Sequence, residues 1–260
     1  MSSAESGTVD VKGWNIYYNV IPGRRANAPT LVFIHEGLGS VRAWADFPER
    51  IVEKTGLPAF AYDRRGYGRS DPYDFYGNMN YMHEAADFLY ELLPKMGIAR
   101  PFLIGHSDGG SIALIFAARH PIITEGVITI AAHTMVEPIC VEGAQNAGEL
   151  FTSGRLRDKL IRLHGDKADT AFRSWQGNWT HPDFPKWTIE EMLPAIDCPA
   201  LAIQGDMDEF GSVAQLESIE RNVPGAETHI IKDCRHIPHL QSRAETERLV
   251  GDFINKINFD

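Results

Sequence analysis

Gly105-His106-Ser107-Asp108-Gly109-Gly110 closes a short apolar run, Pro101-Phe102-Leu103-Ile104. It opens a small-residue apolar stretch, Ser111-Ile112-Ala113-Leu114-Ile115-Phe116-Ala117-Ala118. A strand, a glycine-pinched turn bearing a serine, then a helix is the context of a nucleophile elbow. So sharp a turn brings strand and helix close together, and Gly105 and Gly109 lack the Cβ atoms that would collide. Ser107 is expected at the tip with its hydroxyl exposed, near the free N–H groups and positive dipole end of the following helix. G-x-S-x-G arises from composition in about one chain in ten of this length. Its meaning therefore depends on the base, acid and oxyanion donors that the rest of the chain supplies.

On either side of the elbow the chain alternates strands with helical stretches. Residues 8–11 and 14–20 flank Lys12-Gly13 and read as an opening hairpin. Residues 30–34 are an unbroken apolar run, as in a strand buried on both faces, and end in His35-Glu36-Gly37-Leu38-Gly39-Ser40. A helix with Trp44, Phe47 and Ile51 on one face follows. The next strand is 58–62, closed by Asp63-Arg64-Arg65-Gly66-Tyr67-Gly68-Arg69-Ser70. A helix over 79–93, the elbow strand with its helix, and a strand over 126–132 come next. From 135 to 196 the chain is polar, charged and tryptophan-bearing, with no clear strand. A strand over 199–204, a helix over 211–222, a strand over 227–231 and an amphipathic helix over 244–257 complete it. This rhythm predicts an α/β fold with a mostly parallel sheet flanked by helices. Residues 1–134 and 197–260 form its core. Residues 135–196 read as a helical insertion after the sixth strand, entering and leaving at one sheet edge. Ligands of parallel sheets bind beyond the carboxyl ends of the strands, so the insertion is expected to roof the site.

Composition narrows the partners. The 260 residues carry a formal charge of −10, which argues against nucleic acid and anionic membrane. Residues 1–8 lack the basic and apolar segments of a signal peptide, and no apolar run approaches membrane-spanning length. Cys140, Cys198 and Cys234 form no ligand spacing, so a cytoplasmic location with free thiols is expected, without metal or cofactor. Monomer and homodimer both remain open.

Two further segments carry chemistry. Gly205-Asp206-Met207-Asp208 ends a strand in acidic residues, and Asp233-Cys234-Arg235-His236-Ile237-Pro238-His239 follows the last strand. Ser, then Asp, then His each follow a strand, and such residues emerge on one edge of a parallel sheet. With these motifs the chain resembles, over essentially its whole length, the α/β-hydrolase-fold enzymes, which have an eight-stranded-type sheet and here a cap. Gly105 to Gly109 matches that family's elbow, and Asp63 to Ser70 is similar to its D-x-R-G-x-G-x-S loop. Its G-x-x-D segment picks Asp208 over Asp206. Arg235-His236 stands where the family usually has Gly-His, which picks His236 over His239.

The resemblance implies Ser107 as nucleophile, His236 as base and Asp208 as the acid that orients the ring. The oxyanion donors are expected to be the backbone N–H groups of Asp108 and Gly37. Glu36 departs from the family's H-G-x pattern. It is expected either to tie its loop to a neighbour or to position water or substrate. The Asp108 side chain is expected to be solvated or capping. His106 should pack, and His35 should hydrogen-bond backbone. Arg64, Arg65 and Arg69 should fix their loop by salt bridges, the sharper alternative being that one meets a substrate carboxylate. His133, Trp175 and Trp179 are candidates for substrate contact, with Trp187 beside them in the roof.

The expected function is that of a serine hydrolase acting on a small carboxylic ester or lactone through an acyl-enzyme. One alternative keeps the triad and cleaves carbon–carbon bonds of ring-cleavage ketoacids. Another, from a different class, is a ligand receptor on the same frame.

Overall fold

The computed structural model describes residues 5–259. The first four residues and the last lie outside them, and with them part of the N-terminal reading. Eight strands form one sheet: β1 (Glu5–Val11), β2 (Trp14–Ile21), β3 (Thr30–Ile34), β4 (Ala59–Tyr62), β5 (Pro101–His106), β6 (Gly126–Ile130), β7 (Ala200–Gly205) and β8 (Glu227–Ile231). Their order is β1-β2-β4-β3-β5-β6-β7-β8. β2 runs antiparallel to β1 and β4, and every pairing from β4 to β8 is parallel.

Strand side chains alternate between two apolar layers, which is why the central strands read as unbroken apolar runs. Leu31, Phe33, Ile104, Ile128 and Ile203 face one layer. There they meet Trp44, from a short 3-10 helix, and residues of α1 (Phe47–Thr55) and α9 (Arg243–Lys256). Val32, Ile34, Leu103 and Val127 face the other. That layer holds α2 (Tyr81–Lys95) and α3 (Asp108–Arg119). The single helix expected around Trp44 is two pieces, because Ala45 adopts φ 52° between them.

After β6 the chain forms α4 (Pro138–Thr152), α5 (Arg155–His164) and α6 (Ala168–Trp179), with three short 3-10 helices. Met135 bridges Thr188, and Ile189 N–H donates to the Thr134 carbonyl at 2.8 Å, so the excursion closes on itself at a neck. The expectation that 135–196 leaves and returns at one edge holds only as far as this neck. β7 is parallel to β6, so its start lies at the opposite edge. Residues 190–195 therefore run back along the sheet against α3 and α7 (Ala214–Asn222). A four-residue helix, α8 (Pro238–Gln241), precedes α9.

The strand order decides where the site lies. β4 pairs on one side of β3 and β5 on the other. The chain thus reverses direction at β3, the kind of switch point where parallel sheets bind ligands. Ile34 pairs with Gly105, so the loop after β3 stands directly beside the elbow after β5.

Candidate active site

β5 ends at His106 and α3 begins at Asp108, leaving Ser107 alone in the turn with φ 53° and ψ −122°. Such a conformation costs a non-glycine residue about 1–3 kcal/mol and persists only when its surroundings enforce it. Here the Ser107 N–H donates to the Ile130 carbonyl at 2.9 Å, and its carbonyl accepts from Gly110 at 2.8 Å and Ser111 at 3.1 Å. A Cβ on Gly105 would overlap the Gly109 carbonyl, and one on Gly109 would overlap the Ile34 carbonyl. The glycines permit the approach of strand and helix, as their spacing predicts.

The other two chemical residues arrive from the ends of β7 and β8. Asp208 lies three residues past β7, and His236 five residues past β8. His236 Nδ1–H donates to both Asp208 carboxylate oxygens, at 2.8 and 2.9 Å. That tautomer leaves Nε2 to accept from the Ser107 hydroxyl at 2.9 Å. Phe210 N–H donates to Asp208 Oδ1 at 2.8 Å, and Gln204 Nε2 to Oδ2 at 3.3 Å. Burial opposes ionisation of this carboxyl, but the His236 charge and hydrogen bond hold it below its ordinary value. Burial likewise opposes protonation of His236, and the Asp208 charge and hydrogen bond outweigh it, so the ring titrates above its ordinary 6.5. Asp206 and His239 are not part of this arrangement. His239 packs against Trp44 and Phe47.

The loop after β3 brings Gly37 next to Asp108: a Cβ on Gly37 would sit 3.0 Å from Asp108 Oδ2 and overlap the Trp175 indole. Among the described residues neither the Gly37 nor the Asp108 N–H has a protein acceptor. Glu36 does not line the cavity at Ser107. Its side chain turns to His106, with Oε2 3.5 Å from Nδ1, while His106 Nε2–H donates to the His236 carbonyl at 2.8 Å. The reason is the loop's path, which puts Glu36 behind the elbow; its φ is not positive, so the glycine of the family pattern is not needed there. His106, expected only to pack, thus links the loop after β3 to that of His236. His35 meets its expectation, donating to the Glu36 carbonyl at 2.8 Å and accepting from the Arg64 N–H at 3.0 Å.

Asp108 differs most from its expectation. Its side chain is 0% exposed rather than solvated, and it makes no capping bond. Oδ2 accepts from the Tyr81 hydroxyl at 2.7 Å, and that hydroxyl accepts from Trp179 Nε1–H at 3.0 Å. Oδ1 is buried without a partner. Sequence reasoning missed Tyr81 altogether, since a tyrosine opening an amphipathic helix reads as core.

A cavity of about 10 Å3 adjoins Ser107, lined by Asp108, His133, Cys140, Trp175, Trp179 and Phe210. His133 Nε2–H donates to the Phe210 carbonyl at 3.0 Å. The Cys140 thiol is pushed up to about 12 by burial, so it is no rival nucleophile. Trp187 is not in this lining; it stacks on Phe184. Arg64, Arg65 and Arg69 make no salt bridges among the described residues. Arg64 donates to the Glu36 carbonyl at 2.8 Å and covers the Tyr67 ring, Arg65 covers Tyr73 and Phe88, and Arg69 donates to the Tyr17 hydroxyl. Nearby carboxylates are already engaged: Asp63 accepts the amides of Val41 and Arg69, each at 2.7 Å. No group of three or more His, Cys, Asp or Glu among the described residues is placed to hold a metal ion.

Residues 31–249 match the family described as Alpha/beta hydrolase family. The chain belongs to that family. Among alpha/beta hydrolases it is 27% identical over 261 residues to the human protein named Serine hydrolase BPHL, covering 97% of this chain and 87% of that one. It is 22% identical to a proline iminopeptidase of Lactobacillus delbrueckii subsp. bulgaricus, covering 93% and 94% of the two chains. The crystal structure of an enol-lactonase from Burkholderia xenovorans superposes with a TM-score of 0.76 at 20% identity, over 96% of this chain and all of that one. The family match shows the family, and the sheet order and the superposition show the fold. Among the described residues, no helix of this alpha/beta hydrolase is long and apolar enough to cross a membrane.

Proposed function

We propose that the chain is a serine hydrolase that cleaves a small carboxylic ester or lactone through an acyl-enzyme. The observation that carries this is the 2.9 Å contact of Ser107 Oγ with His236 Nε2, on a ring whose other nitrogen is held by Asp208. Ser107 Oγ attacks the carbonyl carbon as its proton passes to Nε2. The amides of Gly37 and Asp108 meet the oxyanion, each such donor being worth roughly 3 kcal/mol. His236 then protonates the leaving oxygen as the C–O bond breaks. Water, deprotonated by the same ring, hydrolyses the acyl-serine and releases the acid.

In this reading residues 135–196 are the cap over a core of 1–134 and 197–260. Space for about one water adjoins Ser107, so α6, which carries Trp175 and Trp179, moves outward to admit an acyl group. His133, Trp175 and Trp179 then contact the substrate. The Asp108 carboxylate in the wall favours neutral or cationic acyl groups. That charge counts against the ketoacid alternative, as does the absence of any arginine from this lining. The likeness to a proline iminopeptidase makes an amide the rival bond. Three buried free thiols favour a cytoplasmic setting.

The test is a fluorophosphonate probe followed by peptide mass mapping. A stoichiometric adduct on Ser107, with multiple turnovers on a panel of esters, lactones and prolyl amides, is expected. An unlabelled Ser107 in folded protein overturns the triad. A persistent adduct after one turnover of every substrate points to the receptor alternative.

A further inference from the structure

β7 is buried along its whole length, and Ala200, Leu201, Ala202 and Ile203 give it the apolar character of such a strand. Gln204 breaks the run. It is 1% exposed, and the period of two puts it on the same face as Ala200 and Ala202. A buried amide destabilises a fold unless its polar groups find partners, so its partners say why it is there.

Nε2 of Gln204 reaches three oxygens beyond the end of the strand. They are the Gly211 carbonyl at 2.6 Å, the Ser212 carbonyl at 3.2 Å and Asp208 Oδ2 at 3.3 Å. Two carbonyls and a carboxylate only accept, so the NH2 end of the amide must face them. Among the described residues the Gly211 carbonyl has no other donor. Gly211 also permits the approach, since a Cβ there would crowd Nε2 at 3.3 Å.

Residues 206–213 cross from β7 to α7 without a strand or helix of their own, and Asp208 lies among them. The start of this loop is tied to the segment that carries His236: the Asp206 N–H donates to the Ile231 carbonyl and the Met207 N–H to the Cys234 carbonyl. At its far end the Ser212 N–H and hydroxyl donate to the Glu137 carboxylate, at 3.0 and 2.5 Å. Between these ties the loop folds back over its own strand, where Gln204 fastens it. On the carboxylate of Asp208, Oδ1 has the Phe210 N–H besides His236. Among the described residues Oδ2 has only Gln204 besides His236.

We propose that Gln204 is a positioning residue for the reaction at Ser107. By bonding Gly211, Ser212 and Asp208 together it fixes the loop and turns the carboxylate so that both oxygens meet His236 Nδ1–H. The role rests on the Ser107, His236 and Asp208 triad of the proposed hydrolase, and Gln204 itself touches no substrate.

The test is Gln204→Met, which keeps the length of the side chain and removes the donor. Fluorophosphonate labelling of wild-type Ser107 comes first; without an adduct the triad fails, and the role of Gln204 with it. With the adduct, kcat of the variant is expected to fall about tenfold while KM stays within about twofold. The acid limb of kcat/KM against pH is expected to move to lower pH, as in Asp208→Asn but by a smaller step. A carboxylate that turns away stabilises the imidazolium less. His133, Glu209 and Glu36, which also act on the pair, are unchanged in this variant. Loss of the N–H dipole alone, with the carboxylate still in place, would move the limb to higher pH instead. A limb that stays or moves up, or a kcat within about twofold of wild type, therefore overturns the proposal. If Gln204→Met fails to fold by circular dichroism, Gln204→Glu, which keeps the shape, decides. At pH 8 its carboxylate faces three acceptors, and kcat should fall more than about tenfold; an unchanged kcat overturns the proposal.

Discussion

Oε2 of Glu36 lies 3.5 Å from Nδ1 of His106, and Nε2–H of the same ring donates to the carbonyl of His236 at 2.8 Å. Glu36, in the loop after β3, thus approaches through a residue of the elbow the loop that carries His236. His35 adds to the fixation by bonding the Glu36 carbonyl and the Arg64 amide.

Glu36→Gln should fold and lower kcat about tenfold with little change in KM, the size of one weakened polar contact between the loops. Burial opposes ionisation of Glu36, but its interaction with the neighbouring His106 ring outweighs this and holds the carboxyl well below its ordinary 4.5. A carboxyl depressed in the folded state stabilises above its unfolded value, and that contribution is lost as pH falls below it. The Tm gap between wild type and Glu36→Gln should therefore be largest near neutrality and shrink below pH 4.5. A gap independent of pH would mean that the carboxylate charge has no part in the link.

Ser107, the proposed nucleophile, has φ 53°. Ser107→Ala should lower turnover about 10^4-fold or more and leave folding intact. Ser107→Gly should be equally inactive yet more stable than Ser107→Ala by about 1 kcal/mol, because glycine adopts that backbone without strain. Urea unfolding of the two variants measures the difference.

As the proposed base, His236 must be neutral. Its pKa lies above 6.5 because the Asp208 charge and hydrogen bond outweigh burial. The acid limb of kcat/KM against pH should have its midpoint above 6.5. Asp208→Asn should move that limb to lower pH and reduce kcat about 10^4-fold through loss of the required tautomer. An unmoved limb in the variant would show that Asp208 does not set the ring's titration.

His164 of α5 ties the excursion to the core: Nδ1 accepts from the Gly68 N–H at 2.9 Å, and Nε2–H donates to the Leu38 carbonyl at 3.0 Å. Lys167 adds bonds to the carbonyls of Tyr67 and Ser70. Burial lowers His164 from 6.5 to about 4, so the folded ring is neutral where the unfolded one takes up a proton. Stability from this group is complete above 6.5 and drains as pH falls toward 4, by up to about 3 kcal/mol. Between pH 7 and 5, His164→Asn should lose less stability than the wild type in chemical denaturation. Equal losses would remove His164 from the pH response.

The expected Ser107, Asp208 and His236 came together because their placement needs only local rules. Each follows a strand of the parallel run, and parallel strands deliver their following residues to one edge. Ala45 and Ala131, with φ 52° each, carry no sign in their residue type, so the broken helix near Trp44 and the end of β6 before Ala131 were not legible. The neck at Met135 and Thr188 joins residues far apart in the chain, which composition does not encode.

The sequence alone determined the elbow and the strand rhythm, since these follow from backbone sterics and hydrophobic period within short windows, while the choice of Asp208 and His236 came from motifs that resemble the family's. Only the tertiary structure decided where the side chains of Glu36, Asp108 and Arg64 go. Each is governed by partners that only the folded chain brings near: His106 for Glu36, Tyr81 and through it Trp179 for Asp108, and the Glu36 carbonyl and Tyr67 ring for Arg64. A buried charge settles on whichever polar group the fold brings within reach, and that choice is set by packing between elements rather than by neighbours in the chain.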